Sequence, residues 1–562
     1  MKYLSPTAPM RHQVELTNKM RGRDAFALLL EMGCGKTKPI LDEWQESCET
    51  GGPTDLLVIA KKATISNWYE SKSEEQRSEM ETHLDPAFLR TVAVGVWGKS
   101  ASAKRKLEWM LSVRTRPRVM FTHVEAISAS RGAEEACREF LSVGRATMVV
   151  DESTTIRARK SERTKAIVRL GALARRRRIM TGLVTPKSPL DLYWQFYFLD
   201  WRILGFQSHA AFRNRYAVVE KQCFLPQGLI RDKLRAVAHL KDGASPLGDS
   251  ALRAKLTACY GGGRQVPAST PRRQVLQELG VFCDGASRQD LLGAIERLGG
   301  YLQGTVMKIT GFKNLEELQQ KIAPHSYRAL KSECLDLKPK IYQFCEVEMT
   351  DEQRRVYDEI VRRATAQLDS GEFLTTKQIT DRLLMLHRVT CGHARDEDGV
   401  VRDVKSNRCQ AVLDVLEEHS GKAVVWVCYD REIRKVAAAI REEYGEDSVS
   451  CFWGGNVSTR AAEEREFLSD PRRRFMCATQ AAGGFGNNWV AADLAIYAAN
   501  TYDLELRSQS EDRCHRKGQR SSVTYVDLIC RGTIEEKIVQ CLRRKLDLSA
   551  QVTGESAREW LV

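Results

Sequence analysis

The sequence predicts an α/β protein with two parallel-sheet lobes and helical insertions between them. Three observations predict this class. Apolar strands alternate with amphipathic stretches over the first 200 residues, the same alternation returns after residue 420, and the residues between have helical periodicity and more charge. Near-continuous runs of Val, Ile, Leu and Met suit parallel strands that are buried on both faces. A chain of 562 residues should hold several domains, because single cores stop growing near roughly 250–300 residues.

The predicted strands form two groups. In the first lobe they are Phe26–Leu30, Asp55–Ala60, Thr91–Val96, Arg118–Val124, Ala146–Asp151 and Arg178–Gly182. In the second lobe they are Ala423–Tyr429, Ser448–Trp453, Phe475–Thr479, Leu494–Ala499 and Thr524–Cys530. Amphipathic helices are predicted over 315–323, 352–368 and 534–546.

The expected domains are an N-terminal lobe at 1–204, a helical linker region at 205–400 and a C-terminal lobe at 401–562. Within the linker region, residues from about 225 to 305 form an unusual insertion. Its Gly/Pro/Ser-rich part, 241–271, is typical of turns and loops.

Charge favours a polyanionic partner, most simply nucleic acid. The chain has 87 Lys and Arg against 73 Asp and Glu, a net charge of +14, with 43% hydrophobic residues. No apolar run approaches the roughly 20 residues of a membrane span, and the N-terminus lacks the apolar core of a signal peptide. The 16 cysteines contain no Cys-x-x-Cys pair, which indicates reduced thiols and a cytoplasmic location. His387, Cys391 and His393 come nearest to a metal cluster, but a zinc site would need further ligands, so packed or solvated side chains are the preferred interpretation.

A glycine-rich turn, Glu31-Met-Gly33-Cys-Gly35-Lys36-Thr37, lies between the first strand and a predicted helix. Glycines let backbone N–H groups approach phosphate closely, and a helix N-terminus adds partial positive charge. Lys36 is therefore expected to contact the β- and γ-phosphates of ATP, and Thr37 to hold Mg²⁺. Leu30 stands where the first glycine of the usual pattern belongs, so an ordinary strand-to-helix turn is the alternative. The residues assigned to nucleotide binding in this turn are Met32, Gly33, Cys34, Gly35, Lys36 and Thr37.

Two carboxylates, Asp151 and Glu152, stand at the end of the strand Ala146–Asp151. Ligands of open α/β sheets bind beyond the carboxyl ends of the strands, so Asp151 can hold Mg²⁺ and Glu152 can polarise an attacking water. A solvated acidic pair at a strand end is the alternative. Upstream, Arg11 and Gln13 precede the first strand, and the amide of Gln13 can read an adenine edge, although a surface glutamine is the simpler interpretation.

In the second half, Gln509-Ser-Glu-Asp-Arg513-Cys-His-Arg516 offers two arginines three residues apart, which would share one face of a helix. A guanidinium fork suits phosphate oxygens, so ATP is expected in a cleft between the lobes. The turn from Thr479 to Asn488 is rich in glycine and includes Gly486. It suits a loop that contacts phosphate of ATP or of nucleic acid.

Together, Glu31–Thr37, Asp151–Thr154, Thr479–Asn488 and Gln509–Gln519 resemble the helicase-like ATPases of superfamily two. The Gln-x-x-x-Arg-x-x-Arg-x-Gly-Gln form of the last motif is similar to the Swi/Snf branch. The segments 311–318 and 324–331 resemble the helical linker of compact phage and bacterial members, and the chain ends resemble those of the motor alone. A phage or bacterial source is our hypothesis.

The resemblance implies RecA-like lobes, ATP and Mg²⁺ as cofactors, and hydrolysis coupled to translocation on double-stranded DNA. It implies that Arg513 and Arg516 are arginine fingers and that Gln509 orders the cleft. Residues expected along the DNA are Lys61, Lys62, Asn67, Trp68, Thr122, His123, Trp453, Gly454, Thr479 and Gln480. A strand-separating helicase acting on DNA or RNA is one alternative. A nucleotide-gated scaffold with weak hydrolysis is another.

Some features depart from the family pattern or lie outside it. The family's Thr-Gly-Thr-Pro motif reads Thr181-Gly-Leu-Val-Thr185-Pro186 here, which puts the coupling between hydrolysis and DNA movement in question. The basic run Arg175–Arg178 is interpreted as a solvated helix end, with DNA contact as the alternative. Trp453 either stacks on a base or ribose or packs at a strand end.

Overall fold

The computed structural model describes residues 5–62, 64–71, 77–158, 161–224, 304–369, 376–395, 400–484 and 487–553. Gly486 and residues 225–303 of the predicted insertion lie outside the described residues. The chain divides into two compact units. The larger contains Met1–Tyr216, Phe312–Tyr357 and Met385–Val562, and the smaller contains Ala217–Gly311 and Asp358–Leu384.

Strands are numbered in chain order. They are β1 Ala25–Leu30, β2 Asp55–Ala60, β3 Ala93–Val96, β4 Arg118–His123, β5 Ala146–Asp151, β6 Arg176–Met180, β7 Ala217–Phe224, β8 Gly304–Phe312, β9 Ser326–Ala329, β10 Ile341–Glu346, β11 His393–Arg395, β12 Val401–Asp403, β13 Lys422–Val427, β14 Val449–Phe452, β15 Phe475–Thr479, β16 Ala492–Tyr497 and β17 Thr524–Ile529.

The α-helices are named by their first and last residues. They are Arg11–Met20, Thr37–Glu49, Ser66–Tyr69, Glu79–His83, Pro86–Thr91, Ala101–Ser112, Val124–Ala129, Arg131–Leu141, Glu162–Gly171, Leu192–Leu204, His209–Tyr216, Leu315–Ile322, Lys331–Cys334, Asp351–Asp369, Thr376–Thr390, Arg408–Glu417, Asp430–Tyr444, Arg460–Ser469, Gln480–Gly483, Leu504–Glu511 and Ile534–Thr553.

The first lobe is built on a seven-stranded sheet in the order β3-β4-β2-β5-β6-β1-β9. Its neighbouring strands are parallel. All six residues of β2 are buried. From Leu56 to Ala60, alternate side chains enter apolar clusters on opposite faces of the sheet, and Asp55 is buried in an ion pair with Arg118. Helices therefore cover both faces, as the continuous apolar runs predicted. The carboxyl ends of β1, β5 and β6 meet at one edge of this sheet, where ligands of such folds bind.

The second lobe is built on a six-stranded sheet in the order β10-β17-β16-β13-β15-β14, again with parallel neighbours. Along β13, Ala423, Val425 and Val427 enter one apolar cluster, and Val424 and Trp426 enter another. The predicted α/β class with two parallel-sheet lobes is confirmed. Both lobes belong to the larger compact unit.

The smaller unit contains the two-stranded sheet of β7 and β8. It also contains the part of helix Asp351–Asp369 from Asp358 onward and the part of helix Thr376–Thr390 up to Leu384.

The basic run Arg175–Arg178 differs from its prediction as a solvated helix end. Arg176 begins β6, so this part of the run is strand and not a helix end. Arg178 is fully buried and donates to both carboxylate oxygens of Glu43, at 3.0 and 2.5 Å, and to the carbonyl of Arg23 at 2.7 Å. A buried guanidinium needs such partners, and Glu43 comes from the distant helix Thr37–Glu49.

Candidate nucleotide site and nucleic-acid interface

The predicted phosphate loop connects β1 to helix Thr37–Glu49. Gly33 has φ +85° and Gly35 has φ +70°, in the left-handed region that favours glycine. At Gly35 a Cβ atom would also lie 2.5 Å from Nε2 of Gln13. Glycine is therefore required there both by the backbone and by its neighbour.

Helix Arg11–Met20 contacts this loop through two side chains. Nε2 of Gln13 donates to the carbonyl of Gly35 at 2.9 Å, and its Oε1 accepts from the N–H of Met10 at 2.8 Å. The imidazole Nε2 of His12 lies 2.9 Å from the carbonyl of Cys34. Both polar atoms of the Gln13 amide thus contact the protein, and its role toward adenine stays a prediction. Arg11 is exposed and pairs with Glu15 at 3.1 Å, so its nucleotide contact also stays a prediction.

The carboxyl end of β5 brings two carboxylates to the loop. Nζ of Lys36 lies 3.6 Å from Oε1 of Glu152, and both side chains are nearly buried. Glu152 has φ 49° and ψ 61°, a left-handed conformation that costs a non-glycine residue roughly 1–3 kcal/mol and is concentrated at functional sites. This backbone directs the Glu152 side chain toward Lys36.

Asp151 accepts from the N–H of Glu152 at 3.0 Å and from the indole N–H of Trp68 at 3.3 Å. Burial, together with the neighbouring charge of Glu152, raises the pKa of Asp151 to about 6. A half-buried carboxylate beside a second one is a suitable ligand for a hard divalent cation such as Mg²⁺, with Thr37 at the start of the adjoining helix.

The two arginines of the second lobe lie against the phosphate loop. Nη2 of Arg513 is 3.6 Å from Sδ of Met32, and Cβ of Arg516 is 3.6 Å from the position a Cβ would take on Gly33. Both guanidiniums donate to the carbonyl of Asn487, at 3.0 and 3.1 Å. Groups that are about 480 residues apart in sequence are thus brought to one place.

The expectation that these arginines share a helix face is wrong. Helix Leu504–Glu511 ends before them, and the chain continues in turns in which the N–H of Arg513 bonds the carbonyl of Ser510 at 3.2 Å. The turns still keep the two side chains together, because both reach the same carbonyl of Asn487.

The arginine pair has the electrostatics of an anion site. Burial, followed by the like charge of Arg516, lowers the pKa of Arg513 to about 10, and burial lowers the pKa of Arg516. Within the described ranges, neither guanidinium forms an ion pair with a carboxylate. Two neighbouring cations, one buried and one half-buried, that bond only neutral groups are well suited to a polyphosphate.

Gln509 is buried beside this site. Its Nε2 donates to Oε1 of Glu505 at 3.2 Å, while its Oε1 has no hydrogen-bond partner in the described part of the chain. It lines, with Glu152, Gly182 and Met32, a cavity of about 70 Å³ between the lobes. A cavity of this size has room for water, and polar groups of both lobes face it.

Of the first-lobe residues expected along DNA, Lys61 contacts the second lobe. Its Nζ lies 2.8 Å from Oε1 of Glu505. Lys62 is exposed, and its N–H donates to Glu125 at 3.3 Å. Asn67 is half-buried. DNA contacts by these three residues stay predictions.

Two other first-lobe residues expected along DNA are buried. Trp68 is only 2% exposed, and its indole N–H donates to Asp151 in the carboxylate site. Thr122 lies on β4 with 1% exposure. DNA contact by these two residues stays a prediction. His123 is half-buried and accepts from the N–H of Ala126 at 3.0 Å, which caps the following helix. Its contact with DNA stays a prediction.

In the second lobe, Trp453 is half-buried and packs on the core, with the guanidinium of Arg434 5.0 Å from its ring centre. Gly454 is exposed next to it. Thr479 and Gln480 are buried at the carboxyl end of β15, and Oε1 of Gln480 accepts from Thr501 at 3.3 Å. Direct DNA contact by these four residues stays a prediction.

Sequence reasoning gave no role to Glu505 or Gln195. Glu505 joins the lobes by accepting from Lys61, Arg157 and Thr154. Gln195 is fully buried and accepts from the hydroxyl of Ser153 at 2.7 Å. A signal existed for Glu505, which stands four residues before Gln509 and therefore on the same helix face. No local pattern could have identified the partners of Gln195.

The cluster around His387 is a packed polar group. His387, Cys391 and Glu535 have potential ligand atoms within 4.8 Å of one another. Glu535 already accepts from Arg408 at 2.6 Å and from Thr390 at 2.7 Å, and Nδ1 of His387 lies 2.8 Å from the hydroxyl of Tyr429. Burial lowers the pKa of His387 to about 4. These bonds favour the predicted interpretation as packed side chains.

Among the described residues, no helix is both long and apolar enough to cross a membrane.

Comparison with known proteins gives consistent matches. Residues 12–242 match the family model of the SNF2-related domain. Protein CHROMATIN REMODELING 4 of Arabidopsis thaliana is 23% identical over 308 residues, which cover 50% of this chain and 14% of that protein. An uncharacterized ATP-dependent helicase of Mycoplasma genitalium is 25% identical over 242 residues, covering 42% and 23%. Human chromatin-remodeling ATPase INO80 is 37% identical over 100 residues, covering 17% and 6%.

The chain thus spans less than a quarter of the length of each of these relatives. Among solved structures, the Sulfolobus solfataricus SWI2/SNF2 ATPase core in complex with dsDNA is 18% identical. That match covers 99% of this chain and 96% of the other, with a TM-score of 0.37.

Proposed function

We propose that the chain is a DNA-stimulated ATPase that couples ATP hydrolysis to translocation on double-stranded DNA, because residues 12–242 match the SNF2-related domain and the motifs resemble the Swi/Snf branch of superfamily two. One observation carries the proposal. Lys36 and Glu152 of the first lobe and Arg513 and Arg516 of the second lobe converge on the same glycine-rich loop. Because residues of both lobes form this cleft, a movement of one lobe relative to the other changes the geometry of the site.

Each group has a proposed role toward ATP. Lys36 binds the β- and γ-phosphates, and Glu152 orients and polarises the attacking water. Arg513 and Arg516 stabilise the charge that develops on the transferred phosphoryl group. Thr37 and Asp151 would hold Mg²⁺, which would neutralise phosphate charge when bound. Arg11 and Gln13 are proposed to contact the nucleotide base.

DNA is the proposed partner because of the net charge of +14 and the match of residues 12–242 to the SNF2-related domain. Residues of both lobes are proposed to contact one strand of the duplex. In the first lobe they are Lys61, Lys62, Asn67, Trp68, Thr122 and His123, and in the second they are Trp453, Gly454, Thr479 and Gln480. The proposed domain limits are 1–204, 205–400 and 401–562. With these limits, the residues proposed to contact DNA lie in the two lobes, on either side of the linker region. Lobe closure on ATP and opening after hydrolysis would then move the protein along DNA.

The test is ATP hydrolysis at low salt by the purified protein, alone and with duplex DNA, single-stranded DNA or RNA. We expect strong stimulation by duplex DNA and displacement of a triplex-forming strand from it. Preference for a single strand or RNA, with unwinding of a fork, would favour a helicase. Binding of DNA without stimulation would favour a nucleotide-gated scaffold, which the altered Thr181–Pro186 motif makes the second candidate.

Three substitutions test the assigned roles. Lys36→Ala, Glu152→Gln and Arg516→Ala should each reduce turnover by roughly 10³–10⁵, the range for loss of such contacts in phosphoryl transfer. Arg520→Ala is the matched control, because Arg520 is exposed four residues beyond Arg516. Near-normal turnover by Glu152→Gln would remove the role given to Glu152.

A further inference from the structure

Lys331 lies beside the nucleotide site, two residues after β9, a strand that sequence patterns did not predict. β9 pairs with β1, so the residues that follow β9 emerge beside the phosphate loop. The N–H of Lys331 donates to Oε2 of Glu31 at 2.7 Å, and the N–H of Glu31 donates to the carbonyl of Ala329 at 3.1 Å. Cε of Lys331 lies 3.6 Å from the position a Cβ would take on Gly33. The backbone and stem of Lys331 are therefore fixed to the first lobe, directly at the loop.

The amine of the same residue bonds the second lobe. Nζ of Lys331 forms an ion pair with Asp512 and donates to the carbonyl of His515 at 2.7 Å. Asp512 immediately precedes Arg513, and His515 immediately precedes Arg516. A single ammonium group thus bonds the chain next to both arginines.

The turn that carries the arginines has little regular structure of its own, because helix Leu504–Glu511 ends before it. Its position relative to the phosphate loop therefore depends on side-chain contacts. Lys331 is 5% exposed, so its bonds to Asp512 and His515 are shielded from competing water.

We propose that Lys331 is a positioning residue that holds the arginine turn in register with the phosphate loop. It acts through Asp512 and His515 and does not itself contact ATP. The inference rests on the proposed ATPase function and adds a residue to it. A displacement of about 1 Å of catalytic groups can cost roughly 10²-fold in rate, so loss of this bridge should act on turnover.

The chain offers a matched control in Lys340. Its Nζ lies 3.6 Å from the same Oδ1 of Asp512 and 2.7 Å from Glu511, but it precedes β10 and so belongs to the second lobe. Lys340→Met removes a half-buried cation from the same carboxylate without breaking a bridge to the loop.

The experiment measures kcat with saturating duplex DNA and the Kd of a fluorescent ATP analogue for folded variants. We expect Lys331→Met to lower kcat about 10- to 100-fold and to change the Kd less than about threefold. Lys331→Arg, which keeps the charge, should recover part of kcat, and Lys340→Met should stay within about threefold of the unmodified chain. Asp512→Asn combined with Lys331→Met should be no slower than the slower single variant, because both act on one bridge.

Several results would overturn the inference. One is a normal kcat for Lys331→Met, and another is an equal loss for Lys340→Met. A Kd that weakens by the same factor as kcat falls would make Lys331 a nucleotide ligand or a structural residue. If Lys331→Met does not fold, Lys331→Gln and Asp512→Asn decide by the same criteria. Absence of turnover in the unmodified chain would instead refute the proposed function.

Discussion

Glu505 offers a direct test of how the two lobes are held together. It lies on helix Leu504–Glu511 of the second lobe and accepts from three groups of the first lobe: Lys61 at 2.8 Å, Arg157 at 2.9 Å and Thr154 at 3.2 Å. We predict that Glu505→Gln, which keeps the shape and removes the charge, shifts the molecule toward an open arrangement of the lobes.

The size of the effect follows from the contacts. Two charge-assisted hydrogen bonds each contribute roughly 1.5–3 kcal/mol. Lys61 and Arg157 keep 17% and 20% exposure, so water compensates part of the loss, and the glutamine amide still accepts one bond. We therefore expect a change of roughly 2–4 kcal/mol, which is about 30- to 900-fold in the equilibrium between closed and open forms.

Hydrogen–deuterium exchange measures this change. Amides of residues 504–511 should exchange faster in Glu505→Gln by up to that factor, and small-angle X-ray scattering should show a larger radius of gyration. Glu442→Gln is the control, because Glu442 is exposed on helix Asp430–Tyr444. Unchanged exchange of residues 504–511 in Glu505→Gln would refute the reasoning that this carboxylate holds the lobes together.

Three further predictions concern single sites. Gly35→Ala should weaken ATP binding at least about tenfold by titration calorimetry, since a left-handed alanine costs roughly 1–2 kcal/mol and its Cβ would clash. Gly51→Ala, with φ +78° and open space around it, should leave binding unchanged. His387 is buried with its pKa lowered to about 4, below the roughly 6.5 of an unfolded chain, so its contribution to stability is complete above pH 7 and is lost as pH falls from 6.5 to 4. Between pH 7 and pH 5, the free energy of unfolding measured in urea should therefore fall by about 2 kcal/mol less in His387→Gln than in the unmodified chain. Gln195→Leu should destabilise the first lobe by roughly 2–4 kcal/mol in the same assay, because it leaves three buried polar groups without a partner.

Much of the fold was predictable because its strands are continuous apolar runs. The predicted strands Asp55–Ala60, Ala146–Asp151 and Phe475–Thr479 agree with the structure to the residue. The strands β9 and β10 were not predicted. β10 is an edge strand whose side chains are exposed or half-buried, so its sequence has no apolar run to reveal it.

The site was predictable as a set of motifs but not as a set of contacts. Sequence spacing identified Lys36 and Glu152, and the structure brings them within 3.6 Å. Spacing could not show that Trp68 would bond Asp151, or that Lys61 would meet a carboxylate 444 residues away. Such pairings depend on sheet order and lobe closure, which no local pattern encodes.

The loop after β6, which contains the displaced Thr185 and Pro186, also shows that a sequence motif does not reveal the contacts a segment makes. The sequence departure raised the question of whether this loop still communicates with the nucleotide site. In the structure, Gly182 packs on the phosphate loop, where a Cβ would lie 3.2 Å from the N–H nitrogen of Met32. Its carbonyl accepts from Arg328 at 3.0 Å. The contact is made by backbone atoms, so it does not depend on which side chains occupy positions 183–186.

Gln195 supplies a second connection of the same kind. Its Nε2 donates to the carbonyl of Val184 at 2.9 Å, and its Oε1 accepts from the hydroxyl of Ser153, the residue after Glu152. A fully buried amide that bonds both segments transmits a movement of one to the other, because neither partner can be exchanged for water. The loop after β6 and the carboxylates for which we propose a catalytic role are thus linked through Gln195 and main-chain atoms. The altered Thr-Pro pair leaves these particular bonds in place.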